Sequence, residues 1–321
     1  MRVKRRMLIA GPNLTIDRTA TIPELRPGDV LRVDHVVVTP GGKGLNVARA
    51  ALAMGVPARL VAFVPGHTGR AAAALIAAEG VALDGVPAPG EIRSTAVILE
   101  PGGRATVLNE PGPTVGAPEW DALEQAVRAG LAGHGVLVCS GSLPPGAPVD
   151  GYGRLVGVAH EAGCPVVVDA NGETLAAALS AAPDAVTPNL AEAEGLLHGR
   201  ADESVEASPD ARPRALAAAA DLRAAGARAA IVTAAAAGAA VAFEGGAAWV
   251  SAPRVLVANP IGAGDVLTSG LAAALERGED VAAALRAGAA AAAAAVEAPK
   301  AGDLDPARMR ELLAATRVES A

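Results

Sequence analysis

"GVLVCSGSLPPGAPVDGYGRLVGVAHEAGCPVVVDANG", residues 135–172, contains one full structural period. A short apolar run ends in the small polar residues Ser140 to Ser142. A helical pattern follows in "YGRLVGVAHEAG", and a second apolar run ends at Asp169. Runs this short and this apolar read as strands buried on both faces. The period recurs further on, where "DAVTPN" ends at Thr187 to Asn189 and "RAAIVTA" at Thr233, with "EAEGLL" as helix between them. Strand and helix alternating in this way imply right-handed crossovers, hence an α/β fold with a mainly parallel sheet covered on both faces. Ligands of such sheets bind outside the carboxyl ends of the strands, so the polar residues found there are expected to line one edge.

Two stretches depart from the period. Residues 17–40 and 92–109 alternate apolar and polar positions, with β-branched residues and turn glycines. They predict hairpins of a small second sheet, a lid over the first. Residues 199–213 are polar and read as a surface loop or an exposed helix start, and no internal repeat is present.

Composition narrows the function. The chain has 321 residues, 51% of them hydrophobic but only 2% aromatic, so its core is built from Ala, Val and Leu. The net charge is −7, with no basic block beyond "RVKRR" at 2–6, which argues against a nucleic-acid surface. The apolar run after that basic start breaks at Gly-Pro-Asn, unlike a signal peptide. The longest apolar run, "AGAAAAAAAV" (287–296), is too short to span a bilayer and predicts a buried helix. Cys139 and Cys164 sit in apolar strand-like contexts and read as reduced core residues. A cytoplasmic protein is the expectation.

The glycine motifs are more specific. "GAGD" (262–265) lacks the third glycine of a dinucleotide fingerprint, since Leu267 stands there, and "GGKG" (41–44) lacks the Ser or Thr of a P-loop. On physics alone, Gly262-Ala263-Gly264 turns backbone N–H groups together at a helix N-terminus, which favours an anion. Asp265 in that field either accepts a proton from a nearby hydroxyl or merely caps the helix. "TPGGKGLNVARAALAMG" (39–55) sets a second glycine turn before a helix, with Lys43 and Asn46 at its mouth. In "PNLAE", Asn189 and Glu192 share one helix face, either as plain surface or as a pair that steers a hydrated Mg²⁺.

"PGGKGLNVARA" and "NPIGAGD" resemble the two signatures of the ribokinase-like, phosphofructokinase-B-type sugar kinases. Agreement runs in order through "PNLTIDRT", "SGSLPPG", "VDANGE" and "TPNLAEAE", essentially the whole chain. "GPNLTIDRT" and "LNEPGP" look most like the branch containing 1-phosphofructokinase and tagatose-6-phosphate kinase. The resemblance implies one ribokinase-like domain over 1–321, a three-layer sandwich with a small β-sheet lid. It implies ATP-dependent phosphorylation of a ketohexose phosphate, with Mg²⁺. Asp265 resembles the catalytic base, and Gly262, Ala263, Gly264 and Asp265 the anion hole for the γ-phosphoryl. Asp17, Gly42, Lys43 and Asn46 match positions that hold sugar hydroxyls, and Ser142 a substrate contact. Arg93 in "EIRST" matches a lid arginine that grips phosphate, and Arg32 adds a second cation, across a homodimer in which lids pair. Asn189 and Glu192 match the Mg²⁺-organising pair, acting through water, and Thr233 and Gly238 belong to the nucleotide loop.

Two positions depart from the family pattern. Thr187 stands where the family usually has a lysine facing nucleotide phosphate, and Ala235 replaces the middle glycine of T-x-G-x-x-G. A methyl group there is expected to interfere if the turn needs positive φ. Other readings are a kinase for an unphosphorylated sugar or a nucleoside, against which Arg93 and the scarcity of aromatics argue, and a non-catalytic phosphosugar-binding relative.

Overall fold

The computed structural model describes residues 6–101, 104–199 and 202–321. The basic residues at 2–5, and parts of the 92–109 and 199–213 stretches, therefore lie outside the described residues.

The strands are β1 Arg6–Ala10, β2 Thr15–Thr21, β3 Val36–Gly41, β4 Ala58–Phe63, β5 Ala82–Val86, β6 Arg93–Leu99 and β7 Ala105–Asn109. They continue as β8 His134–Ser140, β9 Val166–Asp169, β10 Ala185–Val186, β11 Ala230–Ala234, β12 Gly238–Phe243, β13 Gly246–Ser251 and β14 Val318–Ser320. Ten form one sheet in the order β14-β13-β12-β11-β10-β9-β8-β1-β4-β5. Every pairing from β5 across to β11 is parallel, and β12, β13 and β14 add an antiparallel edge.

Side chains of this sheet alternate between two cores. Leu8, Ala10, Leu137, Cys139, Val166 and Val168 face one. Met7, Ile9, Val136, Val138 and Val167 face the other. The two-residue repeat of a strand produces this split, and helices cover both sides, so each apolar run is buried throughout. The Ala-rich run is indeed buried helix, within Val281–Ala295. Both cysteines are buried, and no disulfide joins them.

The second sheet has the order β3-β2-β6-β7. Only the ends of the 17–40 stretch are strand, β2 and β3, and the strands reach outside it at Thr15 and Gly41. Between them "PELRPGD" interrupts, because proline offers no N–H to a ladder. The polar stretch near 203 forms a short 3₁₀ turn, Glu203–Ala207, before a helix beginning at Ala211.

Candidate active site

β1 lies between β4 and β8. The chain leaves β1, returns to β4 and β5 on one side, and later crosses to β8 on the other, which opens a crevice at the carboxyl ends. A cavity of about 350 Å³ occupies it. Gly11 and Asn13 line it beyond β1, Ser140 to Ser142 at the end of β8, and Ala170 and Asn171 after β9. Gly42, Lys43 and Gly44 enter from the start of the helix Lys43–Ala53, and Arg93 and Asn109 from the small sheet. That helix reaches the strand end only because both contact residues are glycines. A Cβ on Gly44 would lie 2.7 Å from the Cα of Gly11.

Asp265 stands in the first turn of the helix Ala263–Glu276. Gly262 precedes it at φ 82° in the left-handed region, and no side chain caps this helix. The carboxyl is only 5% exposed and accepts a hydrogen bond from Asn46 Nδ2 at 2.8 Å. Burial, and then the nearby Asp169 carboxylate, push its pKa up to about 7, while Lys43 and Asn46 pull the other way. The Lys43 ammonium donates to Asp169 Oδ1 at 3.3 Å and lies 3.9 Å from Glu192 Oε1. Asp169 attracts it most strongly, its own burial opposes, and Glu192 and Asp265 add to the attraction, so its pKa is raised and its charge persists. Ser140 Oγ donates to the other Asp169 oxygen at 3.0 Å.

At the lid side, Asn13 Nδ2 donates to Ser142 Oγ at 3.0 Å, and Arg93 Nη2 to the Asn13 carbonyl at 3.3 Å. Three buried atoms here, Asn13 Oδ1, Asp17 Oδ1 and Arg93 Nε, have no hydrogen-bond partner among the described residues. Unsatisfied polar atoms grouped beside a cavity suit a polyhydroxylated or anionic ligand. Burial raises the Asp17 pKa, and Thr15, Thr95, Arg93 and Arg49 offset only part of that.

At the other side, Asn189 caps the helix Leu190–His198. Its Oδ1 accepts from the Glu192 N–H at 2.7 Å, and Glu192 Oε2 accepts from the Asn189 N–H at 3.0 Å. Asn171 Nδ2 donates to Glu192 Oε1 at 3.1 Å. Thr233 bridges to Asn189, which brings the end of β11 beside this cap. Thr187 is buried and bonded to Thr268 Oγ1 at 2.9 Å. Ala235 adopts φ 42° and Gly238 φ 137°.

The structure therefore brings Gly42, Lys43, Arg93 and Ser142 to the cavity, sets Asp265 and Asn46 behind it, and groups Asn189, Glu192 and Thr233. Arg32 is exposed on the connection between β2 and β3 and does not line the cavity. Sequence reasoning passes over Asn13, Asn109 and Asn171. It places Ser140 and Asp169 at strand ends on the ligand edge, where the structure has them, but gives neither a role.

A strand-switch cavity, glycine-led helix starts and a buried aspartate near a lysine suit an anionic ligand such as a phosphate. A family model described as pfkB family carbohydrate kinase matches residues 12–308, and the chain belongs to that family. It is similar to the 1-phosphofructokinase of Rhodobacter capsulatus, 33% identical over 285 residues and 86% of each chain. It is also similar to that of Haloferax volcanii, 33% identical over 283 residues and 88% of each chain. Phosphofructokinase-2 from Escherichia coli has the same fold, with a TM-score of 0.86 at 28% identity, covering 97% of this chain and 99% of that one. The protein is thus an ATP-dependent sugar kinase. Among the described residues no helix is long and apolar enough to cross a membrane.

Proposed function

We propose that this kinase transfers the γ-phosphoryl of ATP to a free hydroxyl of a ketohexose phosphate, fructose 1-phosphate first, with Asp265 as the general base. The observation that carries the reading is the Asp265 carboxyl itself, buried at a helix head and poised at about 7, where a base works best near neutrality. The substrate oxygen attacks the γ-phosphorus, its proton passes to Asp265, and the bond to the ADP oxygen breaks. The first-turn N–H groups at Gly262 to Asp265 favour the charge on the moving phosphoryl. The existing sugar phosphate suits the Arg93 guanidinium, whose Nε has no hydrogen-bond partner among the described residues. Asp17 and Gly42 take sugar hydroxyls beside it, and the similarity to two 1-phosphofructokinases supports the choice of acceptor.

Among the described residues no group of three or more His, Cys, Asp or Glu side chains is arranged to hold a metal directly. Asn189 and Glu192 hold one another in a cap, so the donors fit a Mg²⁺ reached through its own waters. When bound, the ion neutralises phosphate charge. The lid sheet exposes Val37, Val38, Val107 and Leu108, which suits pairing of two lids in a homodimer and would bring Arg32 of one copy towards the other's site.

The test is ADP release with Mg²⁺-ATP against fructose 1-phosphate, tagatose 6-phosphate, fructose 6-phosphate, fructose, ribose and adenosine, with Asp265→Asn alongside. Turnover on a phosphosugar, reduced by at least ~10²-fold in the variant, is the expected result. Equal turnover in Asp265→Asn would remove the base. A preference for free fructose, ribose or adenosine would remove the phosphosugar.

A further inference from the structure

Behind Asp265 lies a chain of hydrogen bonds through Asn46, Arg49 and Glu79, none of which lines the cavity. Asn46 donates to Asp265 Oδ2 through Nδ2, and its Oδ1 accepts from Arg49 Nη1 at 3.0 Å. The orientation of this amide is dictated by Arg49. A guanidinium only donates, so the Asn46 atom facing it must be the oxygen, which leaves the NH₂ for Asp265. Arg49 has little freedom of its own. Its Nε and Nη2 donate to the two Glu79 oxygens at 2.7 and 3.0 Å, Nη2 also donates to the Pro40 carbonyl at 2.7 Å, and the side chain is 9% exposed. Lys300 fixes Glu79 from the far side at 2.7 Å.

We infer that Arg49, held by Glu79, is a positioning residue for phosphoryl transfer, keeping the Asn46 amide turned so that it stabilises ionised Asp265. The inference rests on the reading of Asp265 as the base. Without Arg49 the amide is free to rotate and present its oxygen to the carboxylate, which favours the protonated acid. The other charges facing Asp265 are Lys43 from the start of the helix Lys43–Ala53, Asp169 from the end of β9 and Glu192 from the helix Leu190–His198. On the packed helix Val281–Ala295 the one charged residue, Arg286, donates instead to the Leu313 and Thr316 carbonyls.

The test is kcat against pH for the intact protein, with saturating Mg²⁺-ATP and fructose 1-phosphate, in the wild type, Arg49→Lys, Glu79→Gln and Asp265→Asn. A lysine keeps the charge but cannot fork to Glu79, Pro40 and Asn46 together. The acid limb of Arg49→Lys should move up by about one pH unit, with kcat at pH 7 lowered ~5-fold and KM for the sugar changed less than ~3-fold. Glu79→Gln should move the limb the same way by less, and it decides the matter if Arg49→Lys does not fold. An unmoved acid limb in variants that only melt earlier would overturn the inference. In that case an inactive Asp265→Asn leaves the base reading standing, whereas full turnover in Asp265→Asn removes base and relay together.

Discussion

Ala235 holds φ 42° in the turn between β11 and β12, the position where the family pattern has glycine. A Cβ in the left-handed region crowds the following carbonyl and costs on the order of 1 kcal/mol. Its retention shows that the turn geometry is set by the surrounding fold, since β11 and β12 pair on either side of it. Replacing Ala235 by Gly removes the methyl without asking the backbone to move. The variant is expected to be more stable by about 0.5–1 kcal/mol in urea unfolding, because relief of strain outweighs the extra freedom of glycine in the unfolded chain. Its KM for ATP should fall while its KM for the sugar stays put, if the turn after β11 takes the nucleotide as the family resemblance implies, since Ala235 is far in sequence from the lid. A destabilised variant would show that the φ 42° turn carries no strain. Thr187, the other departure, is explained differently. Its hydroxyl is satisfied by Thr268 inside the protein, so it ties the strand end to Asp265's own helix and presents no cation to a nucleotide.

Helix starts do much of the work of building this site, and their reach depends on how closely backbone can approach backbone. The helix Lys43–Ala53 sits on the end of β1 through Gly44 and Gly11, and Lys43 and Asn46 take their places from that contact. Gly44→Ala would put a Cβ 2.7 Å from Gly11 Cα and 3.3 Å from Leu60 Cδ1, with no flexible side-chain end to absorb the first clash. Overpacking of this kind costs roughly 1–3 kcal/mol, which urea unfolding would register. kcat/KM should fall further than that loss of stability explains, because Lys43 and Asn46 shift with the helix. Unchanged kinetics in a folded Gly44→Ala protein would show that the approach is not needed for catalysis. The same elements show what a sequence can reveal. Apolar runs closed by polar residues at 140, 169 and 233 suffice for a parallel sheet, because each run is local and its ends fall on one edge. The antiparallel strands β12 and β13 are harder to read, since "GAAVAF" and "GAAWVS" carry few β-branched residues and their identity comes from pairing. The roles of Arg49 and Lys300 are invisible for the same reason. Glu79, which joins them, lies 30 residues from one and 221 from the other, and nothing in local spacing announces an ion pair across that distance.

For the molecule as a whole, the site opposes stability, and the opposition depends on pH in a definite direction. The folded-state pKa of Asp265 is raised from 3.8 to about 7, so between those values the native state binds this proton and the unfolded chain releases it. Unfolding then becomes more favourable as pH rises through that window, and above it the full penalty of a buried carboxylate is present. The shift corresponds to a few kcal/mol at most. Asp265→Asn abolishes the penalty while keeping an acceptor for Asn46 Nδ2. The variant should therefore melt above the wild type at pH 8, with the advantage shrinking as pH falls and gone near pH 4, where the wild-type carboxyl is neutral in both states. Calorimetry of both proteins across that range checks the sign directly. A variant less stable than the wild type at pH 8 would mean that ionised Asp265 is held favourably by Lys43 and Asn46, and that the fold lowers its pKa. If instead the gain appears together with lost turnover, the protein maintains a destabilising charge where its chemistry needs one, and the Asn46–Arg49–Glu79 chain is the means by which the fold bears it.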